Sequence, residues 1–202
     1  MSHYVKFTYE RARPDIAPFD SFAELKCMQA DTSAAASVGA DSNGVGFGNL
    51  SARDGVSGKV YITGSATGGL PELTPTDCVR VVAYDFAKNW LRYEGAAIPS
   101  SESLAHAAIY ESDPTISAVI HCHDSVLWRT RLDRVPTTSK AIAYGTPEMA
   151  YEIMRLFTVS DVRSREMFVM AGHEGGIVTF GKNLEDAFDI VMCERRESSP
   201  CI

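Results

Sequence analysis

Apolar and polar positions change period several times along the chain, and each change marks an element. Phe22, Leu25 and Met28, followed by a run of alanines, recur at helical spacing from Asp20 to about Val38, with Asp20 or Ser21 placed to cap the first turn. The stretch from Gly39 to Gly48 is rich in Gly, Asp, Ser and Asn and reads as loop. Two strands are expected next, Gly48 to Arg53 and Lys59 to Thr63, joined by the turn-forming Asp54-Gly55. A glycine-rich connection from Thr63 to Gly69 leads through Leu73-Thr74-Pro75 to the β-branched run Cys78 to Phe86, a strand whose partner is Trp90 to Tyr93.

Pro99-Ser100-Ser101-Glu102 opens a helix running to about Ser112, with Ser100 or Ser101 as cap and Glu102 in the first turn, where the helix dipole favours a carboxylate. Asp113-Pro114 ends it, and Ile116 to His121 reads as a buried strand. Thr146-Pro147-Glu148 starts another helix, with Thr as cap and Pro in the first helical position. Met167 to Ala171 and Ile177 to Phe180 are apolar strands, and Asn183 caps a last helix from Leu184 to about Arg196. Residues 1–19, with Pro14 and Pro18, form an extended arm or edge strand. The mixing of strands and helices without strict alternation predicts an α/β protein of the α+β type: a mostly antiparallel sheet flanked by helices.

Composition narrows the class. With 202 residues, 45% of them hydrophobic, the chain suits one domain with a core large enough for a sheet. A net charge of -7 supplies no positive field for nucleic acid or an anionic membrane, and no basic stripe with interleaved aromatics occurs. No stretch reaches the roughly 18 apolar residues of a membrane span. The start of the chain, with Lys6, Glu10, Arg11 and Arg13, lacks a signal-peptide apolar region. The five cysteines, Cys27, Cys78, Cys122, Cys193 and Cys201, contain no CxxC pair and are odd in number, so a disulfide framework is not expected. Both features point to the cytoplasm.

The five histidines carry the chemistry. In His121-Cys122-His123 the period of two along a strand turns both imidazoles to one face and Cys122 to the other. Two neighbouring neutral imidazoles suit adjacent ligands of one metal, and three protein ligands with an open fourth position is the usual catalytic zinc arrangement. His173, in a glycine-rich turn after an apolar strand, is a candidate third ligand. His106 shares a helix face with Glu102 but lies among core residues, which makes a structural role the simpler reading. His3 reads as a surface residue. Glu102 is explained locally by the helix dipole, and becomes an acid/base candidate only if the helix start meets the histidines in space.

Several segments in order resemble the class II aldolase/adducin family. Gly48-Asn49-Leu50-Ser51-Ala52-Arg53 is similar to its early GNxSxR motif, and Ile62 to Gly68 with Leu73-Thr74 to its glycine-containing second loop. Residues 99–124 resemble its central signature of Ser-Ser-Glu, a helix ending in Ile-Tyr, and His-x-His. Gly145-Thr146-Pro147-Glu148, His173 and Gly181 to Glu185 complete the order, from about residue 20 to 195.

The resemblance implies a three-layer fold, zinc held by His121, His123 and His173, and Glu102 as general acid/base. It implies phosphate binding by Asn49, Thr67, Gly68, Ser100 and Ser101, and a homotetramer with the active site at a subunit boundary. Residues Arg129 to Ala143 are then the expected source of a neighbour's contribution. The implied reaction is carbon–carbon cleavage or formation in a phosphorylated ketose or related hydroxyketone through a metal-stabilised enediolate. A decarboxylase or dehydratase of a keto sugar-acid or ketose phosphate uses the same electron sink, and a non-catalytic adducin-like module would keep only the fold. A glutamate at position 102 resembles the lyase branches. Two departures stand out: His173 is followed by Glu174-Gly175-Gly176 in place of a simple His-Gly, and no tyrosine clearly matches the one that protonates the leaving aldehyde, Tyr144 being only a loose candidate.

Overall fold

A computed structural model describes residues 5–35, 37–40 and 46–198, so the expectations for His3, Cys201, the centre of the Gly39–Gly48 loop and the tail beyond Ser198 lie outside the described residues. The strands are β1 (Thr8–Arg13), β2 (Gly39–Ala40), β3 (Gly46–Phe47), β4 (Asn49–Arg53), β5 (Val60–Thr63), β6 (Cys78–Asp85), β7 (Trp90–Glu94), β8 (Ala118–His123), β9 (Met167–Val169) and β10 (Gly176–Gly181). The helices are α1 (Phe22–Ala34), α2 (Ser103–Ser112), α3 (Ser125–Arg131), α4 (Pro147–Val159), α5 (Val162–Arg165) and α6 (Leu184–Ser198), with a 3-10 turn at Pro75–Asp77.

Eight strands form one sheet in the order β1-β7-β6-β5-β4-β8-β10-β9, antiparallel throughout except where the N-terminal β1 runs parallel to β7. Side-chain alternation sends the two faces into separate cores. On one face Ile62, Val79, Leu91, Val119, Phe168, Val178 and Phe180 pack under α2 and α4. On the other, Leu50, Tyr61, Ala118, Ile120, Cys122 and Ile177 pack with residues of α1, α3 and α6. Each fully buried large apolar side chain contributes about 1.5–3 kcal/mol of transfer free energy. The result is the sheet flanked by helices expected from the sequence, as three layers.

The start of α4 forms as the sequence dictates, with the Thr146 hydroxyl accepting the Met149 N–H and Pro147 in the first turn. Asn183 Oδ1 likewise accepts the Asp186 N–H at the start of α6. Several elements differ from expectation: the stretch from Gly39 to Gly48, read as loop, carries the short strands β2 and β3, and the unexpected helix α5 follows α4. Helix α2 begins at Ser103, so Glu102 takes the N-cap position in place of the first turn; its side chain makes no capping bond, and the Ser100 hydroxyl accepts the Glu102 N–H instead. Strand β8 starts later and runs through His123, because Asn49 and Val178 flank His121 and Gly176 pairs with His123. Helix α3 had no periodic signal at seven residues; it exists because Asp124 accepts the Val126 and Leu127 N–H groups, each at 2.9 Å, and pairs with Arg195 of α6 at 2.7 Å.

Candidate metal centre and active site

His121 lies in the middle of the sheet, opposite Asn49 on β4 and Val178 on β10, with its side chain 2% exposed. His123 follows on the same face, while Cys122 enters the opposite core, as the period of two requires. That shared face is the one covered by α2. The third imidazole comes from the turn linking β9 to β10. Its backbone is closed by His173 N–H to Met170 O at 3.1 Å and Gly176 N–H to His173 O at 2.8 Å.

The glycines after His173 have a steric reason. Gly175 has φ +81°, and a Cβ on Gly176 would come within 2.7 Å of the His173 ring. Gly176 therefore leaves the imidazole the space it occupies beside the strand. Glu174 is exposed. Gly172 is as constrained: a Cβ there would meet the Ile142 carbonyl oxygen at 2.0 Å. Gly172→Ala is expected to displace this turn at a cost of about 1–3 kcal/mol, read as a lower Tm and weaker metal retention. An unchanged Tm would remove the steric account of this turn.

One nitrogen from each of His121, His123 and His173 lies within 4.8 Å of the others. The Nε2 atoms of His121 and His123 are 3.2 Å apart. The His121 Nδ1 lies 3.2 Å from the Ile177 carbonyl oxygen. A carbonyl only accepts, so that nitrogen carries the proton and Nε2 presents its lone pair. Burial, then the neighbouring imidazoles, hold His121 well below its usual pKa; burial foremost holds His173 down at about 3, and burial lowers His123. Three neutral rings thus converge their nitrogens at close range. The His121 Nε2 lone pair faces His123 Nε2 at a distance that either a proton on His123 or a cation between the two rings satisfies. The spacing matches the about 3.3 Å span between nitrogens that bonds of 2.0–2.1 Å to a tetrahedral ion require. The donor set therefore fits a metal ion.

Glu102 completes the cluster. Together with His121, His123, His173 and Tyr144 it lines a cleft whose lining also includes Gly48, Asn49, Ser65, Ala66, Ser100 and Ser101. Its carboxyl is 2% exposed and neither oxygen has a hydrogen-bond partner among the described residues. Desolvation pushes its pKa up to about 7, against a smaller lowering by Lys6. Asn49 Oδ1 is also buried and unpartnered. Unsatisfied polar atoms facing a cleft in this number are what a site awaiting polar ligands leaves exposed to them.

The sequence-derived phosphate donors divide. Asn49, Ser100 and Ser101 lie on the cleft. Thr67 and Gly68 sit one step behind it: the Thr67 hydroxyl donates to Gly64 O at 2.8 Å, and a buried Gln29 amide donates to both the Thr67 and Gly68 carbonyls. A Cβ on Gly68 would stand 2.2 Å from Phe47 O, so that glycine is set by packing against β3. The residues of this loop that do line the cleft are Gly64, Ser65 and Ala66; Ala66 has φ +63°. A positive φ on alanine carries no sequence signal. Phe47, whose ring is 5.6 Å from that of His123, was missed because it stood in an apparent loop. Tyr144 packs its ring 4.2 Å from His173. His106 stays out of the cleft: it is buried, held at a pKa of about 3 by desolvation, and its Nδ1 bonds Ser51 Oγ, which in turn meets the Tyr110 hydroxyl.

A three-layer sheet protein with a histidine cluster under the start of a helix is a defined class, and comparison with known proteins places the chain within it. The model of the class II aldolase and adducin N-terminal domain matches residues 39–196, and the chain belongs to that family. Among solved structures it is similar to L-fuculose 1-phosphate aldolase, with 24% identity, a TM-score of 0.68, and coverage of 91% of this chain and 84% of that one. A sugar-phosphate aldolase from Thermotoga maritima matches with 14% identity and a TM-score of 0.66, over 87% of this chain and 90% of that one. YgbL from Klebsiella pneumoniae, described as a candidate aldolase, epimerase or decarboxylase, matches with 19% identity and a TM-score of 0.62, over 87% and 84%. At these identities the likeness establishes the fold. Among the described residues no helix is long and apolar enough to cross a membrane.

Proposed function

We propose that the chain is a zinc-dependent carbon–carbon lyase of the aldolase kind, acting on a phosphorylated ketose or related hydroxyketone in the cytoplasm as a homotetramer. The observation that carries this reading is the meeting of three neutral imidazoles with a buried, unpartnered glutamate in one cleft. His121, His123 and His173 would hold the ion, which when bound supplies a Lewis acid for a carbonyl and its neighbouring hydroxyl.

The chain's own groups do the rest. Glu102, neutral or charged at little cost near pH 7, holds or accepts the proton at the carbon next to the substrate carbonyl. Burial at 2% exposure keeps bulk water from that proton. Asn49, Ser100 and Ser101 supply neutral donors for the phosphate at one end of the substrate, and Thr67 and Gly68 stand behind them as support for the loop. Asp124, bound to α3 and α6, fixes the end of β8 and so the aim of His123.

The reading is tested by assaying ketose phosphates and β-keto acid phosphates for bond cleavage, with the protein carrying one zinc per chain. Turnover that disappears on chelation and returns with zinc is expected. Turnover that is indifferent to chelation across the panel would overturn the metal-dependent assignment.

A further inference from the structure

The N-terminal arm packs against Tyr144, a residue of the cleft wall. Phe7 is buried in the core under α2 and α4, which anchors the chain beside β7. The Asn89 side chain then clips two segments together, donating to Lys6 O at 3.1 Å and to Gly145 O at 3.2 Å. Gly145, at φ +70°, leaves room for the lysine: a Cβ there would stand 3.1 Å from Lys6 Cβ and 3.3 Å from Lys6 Cδ. The aliphatic stem of Lys6 thus lies along the Gly145 backbone, and its ammonium sits 3.3 Å from the centroid of the Tyr144 ring. Tyr144 is the cleft residue packed on His173. Among the described residues Lys6 forms no ion pair. The net charge of the chain is -7, which makes an unpaired lysine fixed beside a cleft the more unusual.

We propose that Lys6 is a specificity-determining residue that receives a carboxylate on the end of the substrate directed toward His173 and Tyr144. The inference rests on the hydroxyketone reading given above and names its substrate class: a keto sugar-acid. The neutral donors Asn49, Ser100 and Ser101 come from the start of β4 and the turn before α2 and would serve the phosphate end. A single ammonium matches a monoanion. The Tyr144 face holds the cation in place by cation–π attraction without neutralising it, so its charge stays available to a ligand. The same charge reaches inward, lowering the pKa values of both Glu102 and His173.

The test compares two probes of equal length, 5-hydroxy-4-oxopentanoate and 1-hydroxy-2-pentanone, which share the hydroxyketone and differ in carrying a carboxylate or a methyl end. Binding to the zinc-loaded protein is measured by calorimetry at low and high salt. Wild type is expected to favour the acid by about tenfold at low salt, with the preference shrinking as salt rises. Lys6→Met, which keeps the apolar stem, is expected to remove most of that preference, and Lys6→Arg to retain it. A Lys6→Met protein that keeps the full preference, whether or not its Tm falls, would show that the lysine only pins the arm and would overturn the proposal. If neither probe binds wild type, the hydroxyketone reading fails and the assignment of Lys6 falls with it.

Discussion

Replacing Glu102 by glutamine is expected to lower kcat by about 10²- to 10⁴-fold, the range for loss of a positioned proton-transfer group, while metal content stays at the wild-type level. The substitution preserves volume and removes only the ability to take up and release a proton. Retained turnover in a protein with full metal occupancy would refute the acid/base role.

A stability effect of opposite direction accompanies it. Burial without a partner raises the folded-state pKa of Glu102 from 4.5 to about 7. Between those values the folded protein holds a proton that the unfolded chain has released. Stability from this group is therefore complete below about pH 4.5, declines as pH rises, and is lost through about pH 7. Glutamine carries no such penalty. In metal-free protein Glu102→Gln is expected to gain on wild type between pH 5 and pH 8, by up to about 3 kcal/mol on the scale of 1.36 kcal/mol per pKa unit. Denaturant unfolding at the two pH values measures it, and an equal difference at both would sink the claim that the carboxyl is buried unpaired.

His121→Ala is expected to weaken metal binding on the order of a thousandfold, about 4 kcal/mol, because it removes the proposed ligand whose tautomer the sheet itself sets. Since His121 is buried between β4 and β10, the variant also loses packing. The decisive readout is therefore the change in Tm on adding zinc, which measures ligand linkage apart from the intrinsic stability of the fold. Wild type is expected to gain several degrees and His121→Ala close to none. An equal gain in both would remove His121 from the metal centre.

Much of the site follows from local chain geometry and was legible without a structure. The pairing of His121 with His123 on one face is a property of any strand, and the placement of Glu102 at a helix start follows from the Pro-Ser-Ser run before it. The helix at Thr146-Pro147 was legible for the same reason, since capping acts over a few residues, and the mostly antiparallel sheet was legible from strands and helices that do not alternate strictly. What local geometry leaves open is which of these pieces meet. Glu102 and the histidines share a cleft because α2 packs on the face of β8 that carries the imidazoles, and that is decided by burial of Val119, Leu104 and their neighbours in one core.

The sequence by itself determined most of the longer elements, the two-histidine pair and the family to which its motifs point. Tertiary structure alone decided that Ser65 and Ala66 line the cleft while Thr67 and Gly68 brace it, because a positive φ at Ala66 and the buried Gln29 amide turn the loop. It also decided that Glu174-Gly175-Gly176 suits His173, since Gly176 must admit the imidazole ring. Above all it brought Lys6 to Tyr144 across most of the length of the chain. Strand period and helix caps act between near neighbours; contacts between distant residues are set by which surfaces can be buried together, and no single segment carries that information.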